Sequence, residues 1–199
     1  MKQESLERAM NTFSIESESL LETAKVLDEK AFAKAVKALV KAPRIAATGC
    51  GHSGIAARHF AHLMCCVERP ARFLSPAEAP HGALGFLQKG DVLVWASRGG
   101  KTDELTKILE IAKGKGVTII GVTEAPDSPL ANLSDIILLI KVTKECDRYN
   151  CQGTTSFAVT NAVFDALQTA VMEESGFVNE AFAVIHPNGA VGKRLNKKG

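Results

Sequence analysis

The chain has 199 residues, 46% of them apolar and 23% charged, which suits one compact domain with a substantial core. A net charge of +2 is too small for a nucleic-acid surface, and the longest apolar run, Ile136 to Ile140, is far short of a membrane span. The charged start Met1-Lys2-Gln3-Glu4-Ser5 is no signal peptide, and the five cysteines lack zinc-knuckle spacing; reduced thiols and a cytoplasmic location are expected.

Leu6, Met10 and Phe13, then Leu20, Leu21, Ala24 and Leu27, recur at helical spacing and predict a first helix. Its apolar stripe precedes a domain that is complete without it, so the stripe is expected to pack between subunits. Phe32, Ala35, Val36, Leu39 and Val40 predict a second helix that stops before Pro43. Five strand-like runs follow: Arg44 to Thr48, Arg72 to Ser75, Asp91 to Ser97, Thr118 to Thr123, and Ile136 to Val142. They are continuous rather than alternating, the mark of strands covered on both faces. Helices are expected between them, including Ile55 to Cys66 and Thr102 to Lys113, with Cys65 and Cys66 as buried thiols. A polar loop from Thr143 to Gly153 leads to a long helix, Thr154 to Glu174, and a short segment around Phe177 to Leu195. Lys193, Arg194, Lys197 and Lys198 read as a solvated, frayed tail. The fold class is therefore α/β: a three-layer α/β/α sandwich, flavodoxin-like, around a five-stranded parallel sheet. Residues 1–42 form an N-terminal helical segment of the same domain, and residues 43–199 form its ligand-binding body.

Two turns carry the chemistry. Gly49-Cys50-Gly51-His52-Ser53-Gly54 and Ser97-Arg98-Gly99-Gly100-Lys101-Thr102 each follow a strand and open a helix. Such a turn leaves N–H groups and hydroxyls at a helix N-terminus, where a phosphate is favoured by unpaired donors and by the helix dipole. Two of them, both with Ser, point to a small phosphorylated ligand. The first also fits the dinucleotide pattern Gly-x-Gly-x-x-Gly, but the second strand ends in Leu74 and Ser75 instead of the acid that holds a ribose, so no nicotinamide cofactor is expected. Thr154-Thr155-Ser156 offers a third group of hydroxyls to close the phosphate pocket. Glu78, His81, Glu104, Glu145 and His186 are the candidate acids and bases near strand carboxyl ends, whereas His59 and His62 fall inside a helix as packing or surface residues. Zinc on His52, His81 and His186 would need a tighter ligand spacing, so no metal is expected.

The chain resembles the sugar isomerase (SIS) domain, and within it the arabinose-5-phosphate isomerase group. The resemblance is carried by the first turn, Pro76 to Gly85, Ser97 to Glu104, Lys144-Glu145, and the ending His186-Pro187-Asn188-Gly189-Ala190-Val191-Gly192. It implies a phosphosugar aldose–ketose isomerase that works through an enediol without a cofactor, assembled as a homodimer or homotetramer. Gly51, Ser53, Ser97, Gly99, Gly100, Lys101, Thr102 and the Thr154–Ser156 group would hold the substrate, with His81 lining the site. Glu104, Glu145, His186 and His52 would carry the acid–base and ring-opening work. The chain departs from the group in two places: His52 stands where Lys is usual, and Gly99 and Lys101 replace a hydroxyl and an acid in the phosphate loop. Arg98 and Lys101 are expected to compensate by charge. A pair of CBS domains commonly follows in the group, and Gly199 falls where it would begin. Two alternatives remain open: a non-catalytic phosphosugar-binding sensor, and another isomerase of the family, such as one acting on a hexulose phosphate.

Overall fold

The computed structural model describes residues 1–196 of the chain. Its strands are Ile45–Thr48 (β1), Ala71–Phe73 (β2), Val92–Ala96 (β3), Thr118–Thr123 (β4) and Ile136–Leu139 (β5). All pair in parallel, in the order β2-β1-β3-β4-β5. β1 and β3 are buried along their whole length, as their unbroken apolar runs require. The helices are Gln3–Val26 (α1), Glu29–Lys41 (α2), Gly51–Cys66 (α3), Asp103–Gly114 (α4), Pro129–Asn132 (α5), Thr155–Ser175 (α6), Asn179–Ile185 (α7) and Gly189–Leu195 (α8). One core layer joins α2, α3 and α6 to one face of the sheet through Leu39, Phe60, Met64, Phe164 and Leu167. The other joins α4 and α5 to the opposite face through Leu93, Trp95, Leu105, Ile108 and Leu130. This is the three-layer α/β/α sandwich expected from the sequence. No helix among the described residues is long and apolar enough to cross a membrane.

The sequence pattern misplaces several boundaries, each for a visible reason. β5 stops at Leu139, before the predicted Val142, because the next backbone groups bond to side chains. Lys141 N–H donates to Thr23 Oγ1 at 2.9 Å, Val142 N–H to Glu124 Oε1 at 3.1 Å, and Thr143 N–H to Ser19 Oγ at 3.1 Å. β2, an edge strand, ends at Phe73 rather than Ser75. α3 begins at Gly51, so His52 and Ser53 occupy a helical first turn instead of a loop. Cys65 and Cys66 are not buried as predicted: Cys65 is exposed and Cys66 half-buried, because the last turn of α3 turns that face outward. Lys193 and Arg194 lie in the last turn of α8 rather than in a frayed tail. Lys197, Lys198 and Gly199 lie outside the described residues.

α1 meets the domain through Ile15, Ser19 and Thr23 rather than through its apolar stripe. The two hydroxyls satisfy the backbone that leaves β5. Most of the stripe points away, with Met10, Phe13 and Leu21 59%, 67% and 66% exposed, while Leu27 at its end packs on the core.

Candidate active site

In the order β2-β1-β3-β4-β5 the connections diverge between β1 and β3, and parallel sheets leave a crevice beyond the strand ends at that point. Both turns singled out from the sequence meet there. Gly49 and Gly54 serve close packing: a Cβ on Gly49 would lie 2.8 Å from the Ser53 carbonyl carbon, and one on Gly54 would lie 2.6 Å from the Gly49 oxygen. Gly51 differs, with φ +55° and open space around it, so the turn shows bare backbone to solvent.

The turn after β3 is built around two hydroxyls. Ser97 Oγ and Thr102 Oγ1 are 2.9 Å apart, and Gly100 N–H donates to Ser97 Oγ at 3.2 Å. One hydroxyl proton is used between the pair, which leaves one to donate to a ligand. Thr102 sits at the N-cap of α4 without a capping bond of its own, so the first N–H groups of the helix stay unpaired. The Gly100 N–H expected to face a phosphate is instead consumed inside the turn. Lys101 is exposed and forms no ion pair among the described residues.

The compensating role expected for Arg98 is not what its side chain does. Arg98 Nε donates to Glu124 Oε2 and its other guanidinium arm to Glu145 Oε1, each at 2.9 Å. Lys141 Nζ completes the group 3.5 Å from Glu124 Oε1, so two cations face two carboxylates. Burial pushes the Glu124 carboxyl up, but the bonds from Arg98 and Val142 N–H, with the charges of Arg98 and Lys141, outweigh it and hold the group below the usual carboxylate range.

Glu145 is 4% exposed and fully engaged. Its Oε2 accepts from Ser156 N–H at 3.2 Å and from Thr154 Oγ1 at 3.3 Å. The start of α6, read from sequence as part of a phosphate pocket, therefore already holds an anion from the chain itself. Thr155 is fully buried, its hydroxyl 3.1 Å from Cys146 Sγ. The loop between is tied by Asp147, whose carboxylate accepts the N–H groups of Tyr149, Cys151 and Gln152. These bonds, that of Gln152 foremost, hold its carboxyl below the usual range.

Glu104 is the contrasting carboxylate. It is exposed, makes no hydrogen bond or ion pair among the described residues, and lines a cleft of about 380 Å³ with Cys50, Gly51, Arg58, Phe73 and Ser75. Burial, and then the charge of Glu104, pushes the Cys50 thiol up, so it stays protonated beside the cleft. Arg58 lies over the Phe73 ring, 3.9 Å from its centroid, which fixes a cation on the wall. Sequence reasoning missed Arg58, because an Arg in mid-helix followed by an aromatic fifteen residues on carries no local signal.

The predicted histidines separate. His52 stands in the first turn of α3, edge-on to Phe157 at 5.9 Å and against Gly153. His81 is exposed on the 3-10 turn Ala79–His81, beyond the cleft wall, and Glu78 immediately precedes that turn. His186 is remote: it stacks on Phe182 at 5.1 Å, and Phe182 shares a groove with Cys66, Val67, Gln168 and Met172 at the far ends of α3 and α6. The length of α3 puts that groove about 20 Å from the Gly51 turn. One chain does not bring His186 to Glu104. Among the described residues no three His, Cys, Asp or Glu side chains converge as metal ligands.

Comparison with known proteins agrees with this architecture. The SIS domain family matches residues 38–170. The chain is 38% identical over 165 residues to the arabinose 5-phosphate isomerase KdsD of Pseudomonas aeruginosa, covering 82% of this chain and 51% of that protein. It is 34% identical to KdsD of Francisella tularensis, covering 96% and 59%. The chain thus spans between half and three-fifths of these curated relatives. Among solved structures, a candidate sugar-phosphate isomerase of Listeria monocytogenes is 39% identical with a TM-score of 0.90, covering 94% of this chain and 100% of that one. An Escherichia coli protein in complex with arabinose 5-phosphate is 30% identical with a TM-score of 0.86, again covering 94% and 100%.

Proposed function

The chain belongs to the SIS domain family, and from that premise we propose that it is an aldose–ketose isomerase acting on a sugar phosphate of the arabinose 5-phosphate kind. The observation that carries this reading is the cleft at the β1–β3 divergence, where an anion seat adjoins an uncommitted carboxylate, Glu104. The phosphate is taken by the spare hydroxyl proton of the Ser97–Thr102 pair, the unpaired N–H groups opening α4, Ser53 at the start of α3, and the charge of Lys101. Glu104 then removes the proton from C2 of the open-chain aldose as electrons move onto the C1 carbonyl oxygen, and that oxygen takes up a proton to complete an enediol. Return of the proton to C1, with loss of the proton on the C2 hydroxyl, yields the ketose. His52, next in the chain to Gly51 of the cleft wall, polarises the oxygens. Glu104 suits the base because it is free, whereas Glu145 is bound at both oxygens.

The active form in this reading is a homodimer or homotetramer. The exposed stripe of α1 supports it, as does the distance of His186, which reaches a cleft only in a neighbouring copy. The test is NMR of pentose and hexose phosphates with the protein in deuterated water. Interconversion with deuterium at C2 of the aldose is expected. Glu104→Gln should lower turnover by at least about a hundredfold while leaving phosphosugar affinity within about threefold. Binding of every sugar without exchange would refute the isomerase reading in favour of a sensor.

A further inference from the structure

The Arg98 side chain lies outside the phosphate seat although its backbone forms part of it. Its guanidinium spans two carboxylates from different elements: Glu124, just after β4, and Glu145, in the loop before α6. Its carbonyl also accepts Thr123 Oγ1 at 3.0 Å and Glu124 N–H at 3.0 Å, so the residue is fixed at both ends. Glu145 in turn reaches α6 through Ser156 N–H and Thr154 Oγ1. A buried carboxylate with one cationic partner and one helix N-terminus has no freedom to turn while both contacts hold.

We propose that Arg98 is the positioning residue for Glu145: held by Glu124, it pins that carboxylate against the start of α6 and couples it to the phosphate turn. Arg98 itself touches neither the substrate nor the reacting atoms. It does two things through Glu145. It keeps the anion site of α6 filled, which confines a ligand phosphate to the Ser97–Thr102 turn, and it fixes the loop that carries Glu145 against the start of α6. Among the described residues Lys101 is left as the free cation of the turn.

The consequence for turnover rests on the isomerase reading, but the clamp itself does not, and the two are measured separately. Amide exchange at Ser156 reads the clamp without any substrate. Arg98→Met and Glu145→Gln should each speed that exchange at least about tenfold, with the Asp28-capped amide of Ala31 in α2 as an unchanged control. Unchanged Ser156 exchange in Arg98→Met overturns the proposal. In turnover, Arg98→Met should lower kcat about tenfold with KM changed less than about threefold, Arg98→Lys should recover part of the loss, and Arg98→Met should add little to Glu145→Gln. A raised KM at unchanged kcat, or losses that multiply in full, overturns it in favour of a phosphate ligand or an independent role. If Arg98→Met alone fails to fold, the double variant Arg98→Met/Glu145→Gln should fold, since the buried charge of Glu145 is gone and Glu124 keeps Lys141 as a partner; failure to do so also overturns the clamp. A parent protein that exchanges no substrate hydrogen would sink the isomerase reading and leave the Ser156 result standing.

Discussion

Replacing Gly100 with alanine places a methyl group where the turn after β3 has no room for one. Gly100 has φ +60°, a conformation that costs an L side chain about 1–2 kcal/mol. The added Cβ would lie 2.0 Å from Ser128 Oγ and 2.5 Å from Ser128 Cβ. Ser128 is 4% exposed and caps α5 by accepting Ala131 N–H at 3.3 Å, so it cannot turn aside without giving up a cap that contributes about 1 kcal/mol. Together the two effects predict a loss of about 2–3 kcal/mol. For a domain of this size that corresponds to a fall in Tm of roughly 5–10 °C. Urea and thermal unfolding of Gly100→Ala, Ser128→Gly and the double variant supply the assay. Ser128→Gly removes the obstructing atoms but not the backbone cost, so the double variant should be less destabilised than the sum by about 1 kcal/mol. The phosphate turn moves with Gly100, so phosphosugar affinity should weaken in Gly100→Ala and partly recover in the double variant. Stability within about 0.5 kcal/mol of the parent, or full additivity, would refute the argument from contact.

Other consequences are open to direct measurement. Lys101→Met should weaken phosphosugar binding about threefold to tenfold, and the difference should shrink at high salt, since an exposed cation acts through screened charge; calorimetric titration at two ionic strengths checks both. Glu124 has a depressed carboxyl in the folded state, so its contribution to stability is complete above the ordinary carboxylate range and is lost as pH falls through the folded value. Glu124→Gln should therefore narrow the gap between urea midpoints at neutral pH and at about pH 3; an unchanged gap would show that the Arg98 contact contributes nothing to it. Phe13→Asp with Leu21→Asp changes two exposed side chains of α1 and should leave the far-ultraviolet spectrum intact while lowering the mass seen by light scattering to that of a monomer. A monomeric parent would refute the oligomer reading.

Local pattern determined much of this protein. Continuous apolar runs bounded by glycine turns gave the five strands and their parallel arrangement, because a strand covered on both faces cannot alternate. The spacing of Ser97, Gly100 and Thr102 marked the turn where hydroxyls and a helix N-terminus coincide, since both features are made within six residues. Tertiary structure decided which charges are free. Glu104 and Glu145 look alike as isolated acids, yet one stands in an open cleft and the other is bound by Arg98, 47 positions away in sequence, and by the first turn of α6. The same holds for α1, whose orientation is set by Ser19 and Thr23: both are needed to satisfy the backbone leaving β5, and the apolar stripe turns outward as a result. His186 carried the family ending in plain sight, but only the path of α6 and α7 showed it a helix length from the cleft. Periodicity reports what a residue's near neighbours require. Ion pairs, unpaired donors and reach depend on which distant segments the fold brings together, and no local pattern encodes that.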